Sequence, residues 1–129
     1  MKKKILSIDD SKAIRFLLQT VFGKNYQVYT ASDGYSAMNM LTQGNSPDLI
    51  IADPKLPDMK DWELIEFLLA SGFYGDIPIL VLSALDKNET HSKCKELGVE
   101  KYYLKPFNPV ELVRTVDSFT SFKNRLQYN

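Results

Sequence analysis

The chain has 129 residues, of which 44% are hydrophobic and 25% charged, a size and composition typical of one globular domain with a buried core. Acidic and basic residues balance at 16 each, so the overall charge gives no indication of nucleic-acid or membrane binding. The single cysteine, Cys94, excludes an intramolecular disulfide and a cysteine zinc site and favours a reducing compartment.

The apolar segments are all short. None approaches the roughly 18 residues that span a bilayer. Ile5–Ile8 is too short for the core of a signal peptide and runs directly into two aspartates. We therefore predict a cytoplasmic protein without membrane contact. The basic cluster Lys2–Lys4 is interpreted as solubilising, not as a nucleic-acid contact.

Five short apolar runs predict β-strands, in chain order Ile5–Ile8, Gln27–Ala31, Leu49–Ala52, Ile79–Leu82 and Tyr102–Leu104. The third and fourth runs do not alternate apolar with polar residues. Continuous apolarity is typical of strands that are covered on both faces, as in a parallel sheet.

Each run is followed by a segment whose apolar residues have helical spacing. Asp33 and Gly34 open the second of these helices, Gly44 follows it, and Gly72 follows the third. The apolar stripes of the first three helices are Ile14, Leu17, Leu18 and Val21; Ala37, Met38 and Leu41; and Leu64, Ile65 and Leu68.

The last two predicted helices differ in character. Lys87–Leu97 is mostly polar and ends at Gly98, so it is predicted as a weakly anchored surface helix held mainly by Cys94 and Leu97. The fifth helix has strong start signals, because Asn108 can cap it, Pro109 suits its first turn and Glu111 can reach back. Its apolar stripe is Leu112, Val116 and Phe119.

This order is β-α repeated five times, which predicts one α/β domain with a parallel five-stranded sheet and right-handed crossovers. We assign residues 1–122 to this domain and residues 123–129 to a polar C-terminal tail. No linker, internal repeat or low-complexity segment interrupts the pattern.

Polar residues stand where four of the five strands end. Asp9 and Asp10 follow strand 1, Asp53 follows strand 3, Ser83 follows strand 4 and Lys105 follows strand 5. Sites of open parallel sheets form beyond the carboxyl ends of the strands. If these strands are neighbours, three carboxylates, a hydroxyl and an ammonium converge at one edge.

Three neighbouring carboxylates repel one another and need a cation or a proton. Oxygen ligands in a hydrated site suit Mg²⁺, which often shares a phosphate. An aspartate can itself be the nucleophile that forms an acyl phosphate, with Lys105 as a point charge and Ser83 as a hydroxyl donor to the phosphoryl oxygens.

Each residue also has an ordinary explanation when it is taken singly. Asp9, Asp10 or Ser11 could cap the first helix, Asp53 could be a turn residue, and Lys105 before Pro106 could be a solvated loop lysine. The combination at matching strand ends is what favours a phosphoryl site. His91, the only histidine, is expected to be exposed on the polar fourth helix.

Over residues 3 to about 119 the sequence resembles the receiver domain of bacterial two-component response regulators. The resemblance lies in four segments and their spacing, namely ILSIDDS, PDLIIADPKLPDM, PILVLSA and YYLKPF. It implies a flavodoxin-like, doubly wound sheet with strand order 2-1-3-4-5, five helices and a cis peptide at Lys105-Pro106.

Position by position, the resemblance implies that Asp53 is the phosphorylated aspartate. Asp10 corresponds to the direct ligand of Mg²⁺ and Asp9 to its acidic partner, while Asp53 and the backbone carbonyl of Lys55 complete the metal site. The resemblance also implies that Ser83 is the switch hydroxyl and that Lys105 is the lysine that faces the phosphate. Tyr102 corresponds to the aromatic residue that swings inward.

The implied partners are a sensor histidine kinase or histidine phosphotransfer protein as donor, and a downstream protein or fused output domain as target. Phosphorylation would shift the surface made by helix 4, strand 5 and helix 5, through which the resemblance also suggests weak self-association. We expect a signalling switch that is not a turnover enzyme and does not bind nucleic acid directly.

Three positions depart from the family pattern. Asp61 stands where the family often has a glycine with positive φ, so the loop after strand 3 is expected to differ. Pro54 stiffens this loop, and Lys55 could pair with Asp53 or Asp10. Leu85, two residues after Ser83, offers no polar group to position an attacking water, which predicts slow autodephosphorylation.

Two rival functions remain open from the sequence. One is a pseudo-receiver that acts as an interaction module without phosphorylation. The departures from the family pattern at Pro54, Lys55 and Asp61 are compatible with it. The other is an aspartyl-phosphate hydrolase with Asp53 as nucleophile. Such enzymes usually carry a second acid two residues after the nucleophile, where this chain has Lys55.

Overall fold

The computed structural model describes residues 2–128, with side chains up to residue 121. Five strands alternate with five helices along the chain. They are β1 (Lys4–Ile8), α1 (Lys12–Phe22), β2 (Gln27–Ala31), α2 (Gly34–Thr42), β3 (Leu49–Ala52), α3 (Glu63–Ala70), β4 (Ile79–Ser83), α4 (Lys87–Leu97), β5 (Lys101–Leu104) and α5 (Pro109–Tyr128).

The strands form one parallel sheet in the order β2-β1-β3-β4-β5. This confirms the predicted flavodoxin-like topology and the element order. Each predicted strand lies within one residue of the observed bounds, and the bounds of α4 agree at both ends. Every residue of β3 and β4 is buried, as their continuous apolarity predicted, because helices cover both faces of the central strands.

Two apolar clusters lie on opposite faces of the sheet. α1 and α5 cover one face, where Leu18, Phe22, Leu112 and Val116 pack against Ile5 and its strand neighbours. α2, α3 and α4 cover the other face, with members that include Leu6, Ala37, Leu68 and Cys94. The carboxyl edge of the sheet therefore lies between two closed layers, which leaves the strand ends as the place for a polar site.

Side chains fix several helix starts as predicted. Asp33 caps α2 by accepting from the Ser36 N–H at 2.7 Å. Asn108 Oδ1 accepts from the N–H groups of Val110 and Glu111 at the start of α5. At α1 the structure selects one of the open alternatives, because the cap is Ser11, whose hydroxyl accepts from Ile14 N.

In the loop between β3 and α3 the sequence predicts a departure from the family at Asp61, where a glycine with positive φ is common. Among the described non-glycine residues, the positive φ of 70° lies instead on the next residue, Trp62. A non-glycine residue in this region costs roughly 1–2 kcal/mol. The indole is 3% exposed and packs in the core, and the Trp62 backbone N–H donates to the Pro54 carbonyl at 2.8 Å, which favours this conformation. Nε1 of the indole is buried without a hydrogen-bond partner among the described residues, so part of this gain is lost.

The tail prediction for residues 123–129 concerns side chains outside the described residues, so the domain division stays a prediction. Among residues 2–128 no helix is long and apolar enough to cross a bilayer.

Adjacent residues of α3 provide a test of the packing. Leu68 is fully buried and Phe67 is 52% exposed. Leu68→Ala should lower the free energy of unfolding by about 2–5 kcal/mol, because it leaves a cavity in the core. Phe67→Ala should lower the free energy of unfolding by less than about 1 kcal/mol, because about half of the ring is already exposed to solvent. Urea unfolding followed by circular dichroism measures both, and equal losses would contradict the assigned core.

Candidate functional site

The polar residues at the strand ends are positioned by backbone hydrogen bonds that continue the sheet beyond its strands. The Asp9 N–H donates to the Ala31 carbonyl at 3.0 Å, and the Asp53 N–H donates to the Ile8 carbonyl at 2.9 Å. Beyond β5 the Lys105 N–H donates to the Ser83 carbonyl at 2.8 Å. The parallel register therefore brings residues that are far apart in sequence to one edge.

Asp9, Asp10 and Asp53 form one acidic cluster, in which one carboxylate oxygen from each lies within 4.8 Å of the others. Asp9 is 2% exposed and Asp53 is 6% exposed, whereas Asp10 is open to solvent. No hydrogen bond or ion pair of the Asp10 carboxylate occurs within the described residues. Asp10 is therefore the carboxylate most accessible to a ligand from solution.

Lys105 joins the two buried carboxylates. Its ammonium lies 2.7 Å from Asp9 Oδ2 and 2.9 Å from Asp53 Oδ2, and it is largely buried itself. The other oxygens of both carboxylates accept backbone hydrogen bonds, from Ser11 N–H to Asp9 Oδ1 and from Lys55 N–H to Asp53 Oδ1, each at 2.9 Å. These bonds fix the orientation of both acids.

The titration of the buried pair follows from its surroundings. Burial raises the pKa of Asp53 above its ordinary value of 3.8, although bonds from Lys55 N–H and Lys105 favour the charged carboxylate. Burial alone would lower the pKa of Lys105, but its bonds to Asp9 and Asp53 more than offset this, so that pKa is raised above 10.5. Lys105 therefore stays charged at neutral pH.

The chemistry of this donor set fits Mg²⁺. One ammonium among three carboxylates leaves two negative charges without compensation when all the groups are ionised. Mg²⁺ carries this charge and prefers carboxylate and carbonyl oxygens together with water. Asp10 would present the exposed ligand atom and Asp53 a buried one. The role of the Lys55 carbonyl stays a prediction.

The hydroxyls of Ser83 and Tyr102 are both bonded to residues of α4. Ser83, which is completely buried, shares a 2.8 Å hydrogen bond with Thr90 of α4 and accepts from the Leu85 N–H at 3.0 Å. Tyr102 is half-buried, and its hydroxyl lies 2.9 Å from Nδ1 of His91. Both predicted switch residues thus contact α4 in this arrangement.

The structure confirms some of the other features predicted from the sequence and excludes one that the sequence left open. The cis peptide at Lys105-Pro106 is present. Of the possibilities that the sequence leaves for Lys55, pairing with Asp53 or Asp10 does not occur within the described residues, because its side chain is exposed and forms no such ion pair. His91 is exposed as expected, but sequence reasoning gave it no partner.

Three further residues make contacts around the site that the sequence did not predict, namely Thr90, Arg15 and Asp58. Thr90 shares helical spacing with Cys94 and Leu97, which could have identified it as an inward-facing residue. Arg15 donates to the Asp9 carbonyl at 2.8 Å, and no sequence signal indicates this contact. Asp58 accepts from the N–H groups of Gly34 and Tyr35, at 2.9 Å each, and so ties the loop after β3 to the start of α2.

The chain is similar to known proteins over most of its length. The family model described as "Response regulator receiver domain" matches residues 5–117. The chain is 31% identical over 125 residues to sporulation initiation phosphotransferase F of Bacillus subtilis (strain 168), which covers 96% of this chain and 98% of that protein. It is 34% identical to the phosphate regulon transcriptional regulatory protein PhoB of Klebsiella pneumoniae over 90% of this chain, but it spans only 51% of that relative.

A solved structure has the same fold. The chemotaxis response regulator CheY4 of Vibrio cholerae superposes with a TM-score of 0.80 at 31% identity, over 92% of this chain and 99% of that one.

The raised pKa of Asp53 gives a pH test. A carboxyl with a raised folded-state pKa favours the folded state below its unfolded pKa, near 3.8, and this contribution is lost as pH rises through the folded pKa. Asp53→Asn should therefore increase the urea midpoint at pH 7 without added metal. The increase should shrink toward pH 3, where the wild-type carboxyl is protonated in both states. A pH-independent difference would contradict this assignment.

Proposed function

The chain belongs to the response regulator receiver domain family, and on this premise we propose that it accepts a phosphoryl group on Asp53 from a phosphohistidine donor. The observation that carries the proposal is the position of Asp53, whose carboxylate lies beside Asp9, Asp10 and the Lys105 ammonium at the carboxyl edge of the sheet. Phosphoryl transfer needs mainly positioning and charge neutralisation, and these residues supply both.

Asp53 acts as the nucleophile. Its carboxylate oxygen attacks the phosphorus of phosphohistidine, the P–N bond breaks, and the histidine nitrogen leaves while Asp53 becomes an acyl phosphate. Lys105 then exchanges its contact with Asp53 Oδ2 for one with a phosphoryl oxygen while it keeps Asp9. The Lys105 ammonium needs to move only a short distance for this exchange, because it already lies 2.9 Å from the attacking carboxylate.

Mg²⁺ is the proposed cofactor, with Asp9, Asp10, Asp53 and the Lys55 carbonyl as the residues that would hold it. When bound, it would neutralise the acidic cluster and polarise the incoming phosphoryl group. Before that, the Ser11 and Lys55 N–H bonds hold the buried carboxylates of Asp9 and Asp53 in fixed orientations. The chain thus contributes a preorganised acidic cluster.

The signalling step is a population shift. The Ser83 hydroxyl turns to bond a phosphoryl oxygen, Tyr102 moves inward, and the surface of α4, β5 and α5 changes. We assign the donor to a sensor histidine kinase or a phosphotransfer protein and the target to a downstream protein or output domain. The chain spans about half of the transcriptional relative described above, and an output domain of that kind belongs to the proposal.

The proposal also covers where the protein works and what it does not do. A receiver of this type acts in the cytoplasm, where its kinase presents phosphohistidine. It modifies its own Asp53 and is not a turnover enzyme.

Phosphorylation can be tested with acetyl phosphate and intact-mass analysis. The wild-type chain with Mg²⁺ should gain one phosphoryl group, and Asp53→Ala should gain none, because the nucleophile is missing. As a control, Asp61→Ala removes an exposed acid of the loop that follows Asp53, and this variant should still be phosphorylated. Excess EDTA should abolish the gain for the wild-type chain.

The rival functions give other results in the same assay. A folded wild-type chain that gains no mass would support a phosphorylation-independent interaction module. Continuous release of phosphate with many turnovers would support a hydrolase.

The lifetime of the acyl phosphate provides a second test. Lys55 is exposed beside the site and Leu85 is half-buried and apolar, so neither offers an acceptor that would orient an attacking water. We expect decay over minutes or longer after the donor is removed, and roughly tenfold faster decay for Leu85→Gln, whose amide can position a water. Lys60→Gln, at an exposed position of the loop after β3, is the control. Loss from the wild-type chain within seconds would contradict the expectation.

A further inference from the structure

α4 has little apolar anchoring. Its buried side chains are Thr90 and Cys94, of which only the cysteine is apolar, and Leu97 is half-buried. The shorter helix α3 buries Leu64, Ile65 and Leu68. Since burial of apolar surface is the main source of helix docking energy, polar contacts carry an unusually large share of the positioning of α4.

The first polar contact lies in the core. Thr90 Oγ1 and Ser83 Oγ are 2.8 Å apart, and both residues are completely buried. Ser83 Oγ also accepts from the Leu85 N–H at 3.0 Å. A serine hydroxyl has one proton to donate and two acceptor positions, so these contacts hold the Ser83 oxygen in one orientation, toward α4.

The second polar contact lies at the next residue of the helix. His91 Nδ1 is 2.9 Å from the Tyr102 hydroxyl, and the two rings meet edge to face with centroids 6.0 Å apart. A third contact, the Lys93–Glu66 ion pair at 2.8 Å, lies on the surface toward α3, where such pairs contribute little. Two adjacent residues of α4 therefore hold the hydroxyls of Ser83 and Tyr102.

We propose that Thr90 and His91 are positioning residues of the phosphorylation switch, which together hold the Ser83 and Tyr102 hydroxyls on α4 and oppose their movement toward Asp53. We call these two residues the α4 clasp. The inference rests on the proposed function, because it concerns the movement that follows phosphoryl transfer. It adds two residues that act through Ser83 and Tyr102 without touching the phosphoryl group.

The physical reason is competition for one hydroxyl. When Ser83 turns to bond a phosphoryl oxygen, it loses its bond with Thr90, and α4 loses one of its few internal ties. When Tyr102 moves inward, its hydroxyl leaves His91. Each bond in the clasp lowers the population of the switched arrangement, and the apparent reactivity of Asp53 falls with that population.

A purely structural role of Thr90 predicts a different change in the phosphorylation rate when its hydroxyl is removed. If Thr90 and Ser83 only satisfied each other in the core, loss of the Thr90 hydroxyl would loosen the domain and slow phosphorylation or leave it unchanged. If the clasp opposes the switch, loss of the hydroxyl accelerates phosphorylation. Thr90→Val separates the two because valine keeps the shape of threonine without its hydroxyl.

The experiment measures the rate constant of phosphorylation by acetyl phosphate with Mg²⁺, using intact mass. Thr90→Val should be faster than the wild-type chain by about fivefold, the factor that corresponds to one hydrogen bond of typical net strength. Thr90→Ser, which retains a hydroxyl, should stay within about twofold. His91→Phe keeps an aromatic ring against Tyr102 and should also accelerate the reaction, by about two- to fivefold.

Two controls link the effect to the clasp. Ser92→Ala, at an exposed position beside His91, should leave the rate unchanged. In a Ser83→Ala background, Thr90→Val should have no further effect, because the hydroxyl that Thr90 holds is absent. A rate increase that persists in that background would overturn the assignment of Thr90 as a residue that acts through Ser83.

The outcomes separate this inference from the proposed function. If the wild-type chain is phosphorylated but Thr90→Val is slower or unchanged, the clasp is overturned and the proposed function stands. If the folded wild-type chain is not phosphorylated, both are overturned. Faster reaction in Thr90→Val and His91→Phe, with rescue by Thr90→Ser, supports the clasp.

Discussion

The contact of the Lys105 ammonium with Asp9 and Asp53 is the interaction on which the site depends. Two nearly buried carboxylates at one edge of an apolar sheet would repel each other and lose their hydration. Lys105 lies within 2.9 Å of both and makes their ionised forms compatible with the fold. The compensation is incomplete, because one ammonium lies among three carboxylates, and for this reason Mg²⁺ belongs to the proposed function.

The contact of Lys105 with Asp9 and Asp53 is possible only because of the strand order of the sheet. Asp9, Asp53 and Lys105 follow β1, β3 and β5, and β4 separates the last two strands in the sheet. Lys105 therefore reaches across the end of β4, and Ser83 terminates the strand that it crosses. The acceptor, its counterion and the proposed switch hydroxyl are neighbours because of strand order, although 96 positions separate Asp9 from Lys105.

The two sides of the site differ in the contacts that hold them. Backbone hydrogen bonds from neighbouring strands fix Asp9 and Asp53, and apolar layers on both faces hold those strands. On the α4 side, hydroxyl and imidazole contacts replace much of the apolar packing. The proposed function uses this difference, because the proposed phosphoryl transfer needs acids in fixed positions and the proposed switch needs a rearrangement of low cost.

The sequence by itself determined the fold class, the strand order through its family resemblance, and the residues of the acidic site, because strand periodicity and strand-end residues are local patterns. It did not place the strain on Trp62, which depends on how the indole packs, nor did it exclude pairing of Lys55 with the acids. The contacts of Thr90 with Ser83 and of His91 with Tyr102 join α4 to two different strands. Only the tertiary structure decided them. The spacing of Thr90, Cys94 and Leu97 indicates which face of α4 turns inward, but the bonds that form depend on which side chains of β4 and β5 lie opposite that face.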